Sequence, residues 1–472
     1  MSTPAAGAVS RLEALVGSSA FTAEPERLAE YGVDGIIPIV ALQPSSAEEV
    51  VEIVKFAAAE KLAIVSCGAR TKIGIGLPPR QYDVALDLTR LNKIVAYDPG
   101  DLTLSVEPGV LLCKLQQHLN QHGQFLPHSA PFMTRATIGG TVASGVEGPL
   151  RQMYGTARDF VLGMEFVTGD GVAGKSGGRV VKNVTGYDLH KLLIGSLGTL
   201  AVITKINLRT FPAPQSLRAF ALHFATAGTV TACRDAVAAS ALRPMTTEIM
   251  SRTMAELFAC APAFRREPHT LPEGVLSAIG WTLSISFNGN EAVLDRCENE
   301  MRRVAESAGA ERFVRVGNAN GKAEPISIGS LYVRLREFIP IALASSPGCT
   351  ILKISVLPAQ LQHALSAAEH AANDQSLAWA AVARGVGVTY IALLPGGRDE
   401  KALNCVSAAA NRIREDCARI GGHSTIPWCP SEWKSALNIW GPDRPELALM
   451  RKVRNAFDPR GILAPGRFMG GI

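Results

Sequence analysis

The sequence predicts an α+β fold of two units, with a C-terminal stretch that returns to the first unit. Three observations predict it. Over the first 214 residues an amphipathic helical stretch and short β-branched runs alternate with loops dense in glycine. Pro212, Ala213 and Pro214 then form a joint, beyond which strands alternate with alanine-rich helices and no further glycine loop occurs. Near residue 458 a helical stretch is stopped by Asp458, Pro459, Arg460 and Gly461. The expected divisions are 1–214, 215–415 and 416–472.

The elements follow in order. Residues 46–61, SAEEVVEIVKFAAAEK, have an acidic first turn, apolar Val50, Val51, Val54, Phe56 and Ala57 at helical intervals, and Lys61 near the end. Residues 62–65 read as a short buried strand leading into the loop 66–72, SCGARTK. Residues 84–88 and 103–107 read as further strands, the second ending at the turn Pro108 and Gly109. Residues 136–171 place Gly139, Gly140, Gly145 and Gly148 close together, then carry a β-patterned run from 161 to 167 and the hairpin-like Asp170 and Gly171. Residues 195–199, GSLGT, form a tight turn ahead of the strand-like 201–211. In the second unit, 219–224, 281–287, 353–357 and 387–394 read as strands, 291–308 and 360–372 as helices. Residues 446–457 carry Leu447, Met450, Val453 and Phe457 on one helical face.

Glycine clusters let main-chain N–H groups approach a phosphate closely, and they also serve where one segment packs tightly on a sheet; the residues alone leave both open. Together, residues 136–140 (ATIGG), Gly148 with Pro149 and Arg151, Tyr154 with Gly155, Arg158 with Asp159, residues 178–188, residues 195–199 and residues 456–472 resemble the vanillyl-alcohol oxidase or p-cresol methylhydroxylase type of FAD-binding domain. Within it they are most similar to the FAD-binding E-type subunits of bacterial glycolate oxidase, also called glycolate dehydrogenase. The likeness covers about the first 215 and the last 35 residues well, and the middle only in short pieces.

The resemblance implies a two-part FAD-binding domain under an α+β cap. It implies cofactor contacts from Cys67, Gly68, Ala69, Arg70, Thr71 and Lys72 in the first loop. In the second segment, Thr137, Ile138, Gly139 and Gly140 would donate N–H groups to the pyrophosphate, with Ser144 and Gly145 nearby. Gly198, Thr199 and Ile203 would follow, Ile203 flanking the adenine with Pro108 and Gly109. The first loop departs from the family pattern: Cys67 stands where an arginine is usual, and Ala69 and Arg70 replace glycines. A position needing positive φ is strained without glycine, while Arg70 offers a phosphate a charge-assisted partner. Thr71 stands where some relatives carry a flavin-linked histidine, so the FAD is expected to be non-covalent.

Catalytic groups are harder to place. Relatives that oxidise 2-hydroxy acids carry paired histidines and a glutamate that hold a metal; no such pair occurs here, and no metal site is expected. His118 and His122 lie at i, i+4 among polar residues, which reads as a solvated helix face without a third ligand. His423, in GGHSTIPW, is the candidate base, and Arg467 the candidate cation near the flavin; both are as readily structural. Arg151 and Arg158 suit a phosphate, a carboxylate or a salt bridge with Asp159.

A net charge of +5 is small for 472 residues, and no basic cluster interleaved with aromatics occurs, so no nucleic acid is expected. Nine cysteines without a Cys-x-x-Cys spacing exclude a self-contained iron–sulfur site. With no signal-peptide pattern and no apolar run of about 20 residues, the chain is expected to be cytoplasmic. By resemblance its partners are a D-type flavoprotein subunit of glycolate oxidase and an iron–sulfur subunit, which would hold it peripherally on the inner face of the membrane. The implied reaction is oxidation of glycolate or a related small 2-hydroxy acid within the complex, at a sister subunit, with FAD on this chain relaying electrons or completing the assembly. A self-sufficient FAD-dependent 2-hydroxyacid or alcohol dehydrogenase, and a non-catalytic scaffold retaining the fold, are the alternatives.

Overall fold

A computed structural model describes residues 6–179, 186–262, 271, 273–276, 280–316 and 330–472. The first unit holds two main sheets. A four-stranded sheet runs in the order Phe21–Thr22, Val40–Leu42, Val84–Asp87, Ile64–Cys67, parallel among its last three strands. A five-stranded antiparallel sheet runs Ile94–Asp98, Thr103–Val106, Ala201–Arg209, Val161–Thr168, Ala173–Gly177. The α+β expectation holds.

The helix expected at 46–61 forms as Ala47–Glu60 and buries Val50, Ile53, Val54 and Ala57, a stripe of period 3.6 laid on the parallel strands. Its start is fixed by Ser46, whose hydroxyl accepts from the Glu49 N–H at 3.2 Å, while the Glu49 carboxylate accepts from the Ser45 N–H at 2.8 Å. Ser46→Ala is expected to cost about 1 kcal/mol, read as a lower urea midpoint with unchanged slope.

The second unit is an eight-stranded antiparallel sheet ordered Arg312–Val316, Leu217–Phe224, Trp281–Asn288, Thr246–Ser251, Ala378–Arg384, Val388–Leu394, Thr350–Ser355, His423–Trp428. Alternation splits its side chains into two faces. One face, with Leu222, Leu283, Ile285 and Leu393, packs under the helices Ala227–Ala239, Glu291–Ser307, Leu361–Asp374 and Glu400–Arg419. The other, with Met250, Ile351, Val382 and Tyr390, shares a core with Ile75, Val146, Phe132 and Leu197 of the first unit. The cap therefore closes over the glycine loops.

Two sequence expectations shift. The strand read at 353–357 lies at Thr350–Ser355, because Pro358 opens a 3-10 turn and Leu357 stands 70% exposed ahead of it. His423–Trp428, assigned to the returning stretch, hydrogen-bonds as an edge strand of the cap sheet, so the return begins beyond it. Edge pairing tolerates Pro427, which has no N–H to donate. The returning stretch reaches the four-stranded sheet at Leu463, which bridges Ile64 in parallel.

Candidate functional site

Strand Ile64–Cys67 ends in the loop 68–72, where two segments distant in sequence meet it. Gly68 is pressed against Thr137, and a Cβ there would lie 2.2 Å from the threonine Oγ1. Gly198, at φ +73°, faces Ser66, whose Oγ would be 2.7 Å from a Cβ. Arg70 adopts φ +58° in a position where the family pattern has glycine, so the strain foreseen there is present. The main-chain N–H groups of Gly68, Ala69, Arg70, Thr71 and Lys72 donate to no acceptor among the described residues. Consecutive free N–H groups on a tight loop form an anion-receptive concavity.

These segments line a first cleft with about 510 Å³ of empty space, its mouth included. Of the expected cofactor residues it gathers Cys67, Gly68, Ala69, Arg70, Thr71, Lys72, Thr137, Gly140, Ser144 and Gly198, together with Arg467. Pro108, Gly109, Ile138, Gly139, Thr199 and Ile203 lie behind it, outside its lining. There the structure departs from expectation: the Ile138 N–H is taken by the Val110 carbonyl at 2.9 Å and the Gly139 N–H by Pro108 at 2.8 Å. Loop 68–72 keeps its donors free. Arg70 also differs, since its guanidinium is directed at Asp87 (3.5 Å) and Glu30 (3.7 Å) and stacks on Tyr31.

Lys72 is 7% exposed, and its Nζ reaches only Thr71 Oγ1 (3.3 Å) and Thr141 Oγ1 (3.4 Å). Burial pulls its ammonium down to about 7, with Glu337 opposing. His128, buried with an unpartnered Nε2, is pulled down to about 3 by burial and by the Lys72 charge. Burial, then Asp87, holds the Cys67 thiol far above its ordinary range, so it stays protonated. Arg467, 2% exposed, donates to the carbonyls of Ile73 and Ile75, and its Nε has no partner. Its charge serves the loop beside the first cleft rather than the second.

A second cleft, about 900 Å³ with its mouth, joins the first through Ser144 and Leu197, which line both. The first unit supplies Gly145, Glu147, Arg158 and Gly195; the cap supplies Lys353, Tyr390, Thr425 and Trp428, with Trp440 and Phe468 closing the side. Thr425, Lys353 and Tyr390 are register neighbours on three adjacent strands, forming one polar row across the sheet. Lys353 and Arg158 enter no ion pair among the described residues, whereas Glu147 is paired with Arg151. Beneath the row, Arg384 sits 5.3 Å from the Tyr390 ring, 3.8 Å from Glu248 and 3.2 Å from the Glu147 carbonyl. Both Glu248 oxygens lack hydrogen bonds, and burial raises this carboxyl to about 7 against the pull of Arg384.

None of Lys353, Tyr390, Thr425, Glu248 or Arg384 was singled out from the sequence. Two of these strands carried a signal, one ionisable residue within a largely apolar run, Lys353 in TILKIS and Tyr390 in VTYIALL; Thr425 in HSTIPW carried none. His423 is the reverse case. It is exposed opposite Ser355 at the end of its strand and lines neither cleft, because it stands two residues before Thr425, where the strand has not yet passed under the first unit. Arg158 does not pair with Asp159, which instead caps the turn at Thr156. His118 and His122 pack edgewise on Tyr97, and no group of three metal-binding side chains forms among the described residues. Lys182 and Asn183 lie outside the described residues; Tyr187 is 90% exposed and Asp188 pairs with Lys191. No helix among the described residues is long and apolar enough to cross a membrane.

Comparison with known proteins agrees with this geometry. A family profile described as FAD binding domain matches residues 38–175, and one described as FAD linked oxidases, C-terminal domain, matches 213–425 and 440–468. Glycolate oxidase subunit GlcD of Bacillus subtilis (strain 168) is 24% identical over 433 residues, covering 91% of this chain and 89% of that protein. Glycolate oxidase subunit GlcE of Escherichia coli (strain K12) is 38% identical over 170 residues, but these span only 36% of this chain and 48% of that protein. Among solved structures, p-cresol methylhydroxylase with substrate bound superposes with a TM-score of 0.78 at 20% identity, covering 98% of this chain and 96% of that one. That likeness establishes the fold.

Proposed function

Because the chain belongs to the FAD-linked oxidases, with FAD as its cofactor, we propose that it is the flavoprotein subunit of a glycolate dehydrogenase-like complex. It oxidises glycolate or a related small 2-hydroxy acid to the 2-oxo acid, and passes the electrons to an iron–sulfur partner. The names of the relatives, glycolate oxidase subunits and D-lactate dehydrogenases, support this substrate class. The likeness to GlcE supports the E-type assignment, and the longer likeness to GlcD supports membership of a glycolate oxidase complex.

The observation that carries the reading is the second cleft. It shares Ser144 and Leu197 with the first, and it presents two cations, Lys353 and Arg158, that enter no ion pair among the described residues. A 2-hydroxy acid brings the missing carboxylate. Lys353 and Arg158 hold it, and the hydroxyls of Tyr390 and Thr425, on either side of Lys353, bind the substrate's own hydroxyl. FAD, seated non-covalently on loop 68–72, supplies the two-electron acceptor. Such a seat favours oxidation on this chain over relay from a sister subunit.

Anaerobic addition of glycolate, D-lactate or D-2-hydroxyglutarate to the purified holoprotein is expected to bleach the flavin absorbance with at least one of them. Lys353→Met is expected to raise the substrate concentration for half-bleaching roughly tenfold to a hundredfold, the worth of one charge-assisted hydrogen bond of about 1.5–3 kcal/mol. Flavin that none of the three acids reduces would leave the relay or scaffold role; an unchanged half-bleaching point in the variant would remove Lys353 from the seat.

A further inference from the structure

Lys72 is a buried amine that forms no ion pair among the described residues. The groups packed around it come from four places. Its own loop contributes Thr71, the helix Ile138–Ser144 contributes Thr141, and the segment before it contributes His128 and Phe132, whose ring lies 5.5 Å from the Nζ. From the cap comes Glu337, the one acidic group acting on it. Glu337 is already engaged, accepting from the Phe132 N–H at 2.7 Å, the Met133 N–H at 3.1 Å and Arg336 Nε at 3.0 Å. The other cations of the cleft are committed elsewhere, Arg70 to Asp87 and Glu30, and Arg467 to the carbonyls of Ile73 and Ile75. Beside Lys72 stand the five free N–H groups of residues 68–72.

Together these groups form a site suited to an anion. An amine placed so is best left uncharged while the cleft is empty, since burying an uncompensated ammonium costs more than releasing its proton. A diphosphate in the same cleft reverses the balance, because its negative charge favours the ammonium. We propose that Lys72 takes up a proton when FAD binds, so that the protein acquires the positive charge that neutralises its cofactor only as the cofactor arrives. The neighbouring titratable groups do not compete for that role. His128 is held neutral by burial, the Cys67 thiol stays protonated, and the guanidinium groups stay charged throughout. Linkage then requires FAD affinity to fall about tenfold per pH unit above pH 7, until the bound ammonium itself titrates, and to be level below pH 6.

The experiment is calorimetric titration of FAD into deflavinated protein at pH 6.0 and pH 8.5, each in two buffers of different ionisation enthalpy. The slope of heat against buffer enthalpy counts protons taken up. The expected result is close to zero protons at pH 6.0 and close to one at pH 8.5. Lys72→Arg, which cannot lose its charge, is expected to bind FAD with no uptake at either pH and with an affinity level across the range. Lys72→Met, checked for its fold by circular dichroism, is expected to bind at least tenfold more weakly at pH 6.0 than the wild type. Absence of uptake by the wild type at pH 8.5, or equal uptake by the arginine variant, would overturn the proposal. These heats report binding alone, so the outcome does not depend on which acid the enzyme oxidises.

Discussion

Lys434→Met is expected to lower stability by roughly 3–5 kcal/mol and to yield protein depleted of FAD. Lys434 and Asp34 form an ion pair at 2.8 Å with side chains only 2% and 3% exposed, joining the returning stretch to the start of the first unit. The same ammonium donates to the carbonyls of Gly74 (2.5 Å) and Gly76 (2.8 Å). Burial pulls the lysine down, and Asp34 chiefly restores it, so the pair stands on mutual compensation. Removing the cation leaves a buried carboxylate without its ion-pair partner, with only the Arg467 charge acting on it, and two carbonyls without their donor. The segment 73–76 continues directly from the cofactor loop, so its release also loosens residues 68–72. Urea unfolding and flavin content per chain are the measurements. The double change Asp34→Asn with Lys434→Met is expected to recover some of the loss, because it removes the orphaned charge. A single-variant loss below about 1 kcal/mol would mean that the pair is solvated rather than buried.

Glu248→Gln is expected to act in the opposite direction at neutral pH. The carboxyl's folded pKa is raised by burial from 4.5 to about 7. A raised pKa means that the folded state holds a proton which the unfolded state has released. The associated stability is complete below pH 4.5 and is lost as pH climbs to about 7. At about 1.4 kcal/mol per pH unit, the loss amounts to roughly 3 kcal/mol by pH 8. Glutamine keeps the shape and cannot ionise, so the difference between variant and wild type should be small at pH 4.5 and should favour the variant progressively up to pH 8. Taking the difference cancels the other carboxylates, which titrate alike in both proteins. Arg384→Met removes the one charge opposing the rise, so Glu248 should then stay protonated beyond pH 7, and the window should move upward. A flat difference between pH 4.5 and 8 would place the carboxyl in contact with water.

The two clefts differ in how far they could be read from the sequence, for a physical reason. The first is built from glycine-marked turns, and a turn is a local event whose residues are adjacent in the chain; 68–72, 137–140 and 195–199 each declare themselves. The hydrogen bonds of those turns are not local. Ile138 and Gly139 lose their N–H groups to carbonyls at 110 and 108, a pairing visible only once the chain is folded. The second cleft is a row across three strands, with residues at 353, 390 and 425, and a row is set by register. The sequence marks 353–357 and 387–394 as strands, but nothing in a single strand tells which neighbour it meets. His423 stood out because histidine is the usual base and its segment was expected to return to the FAD domain. Pairing with Thr350–Ser355 instead carries it to an exposed strand end.

The clamp on segment 73–76 also bears on the order in which the molecule is made. Lys434 lies 358 positions beyond Gly76, and Arg467 lies 394 beyond Ile73. Strand Ile64–Cys67 is finished on its open side by residues 462–464, through the Ile64 N–H to the Ile462 carbonyl at 2.8 Å and the Ala464 N–H to the Ile64 carbonyl at 2.7 Å. A nascent chain emerging from the ribosome amino end first therefore exposes loop 68–72 long before the residues that give it its shape. The cap, lying between in sequence, has time to fold by itself as an insertion. Contacts of such span close slowly, because most of the chain must already be ordered around them. The shape of the first cleft depends on these contacts, so cofactor loading is expected to follow their closure rather than to precede it.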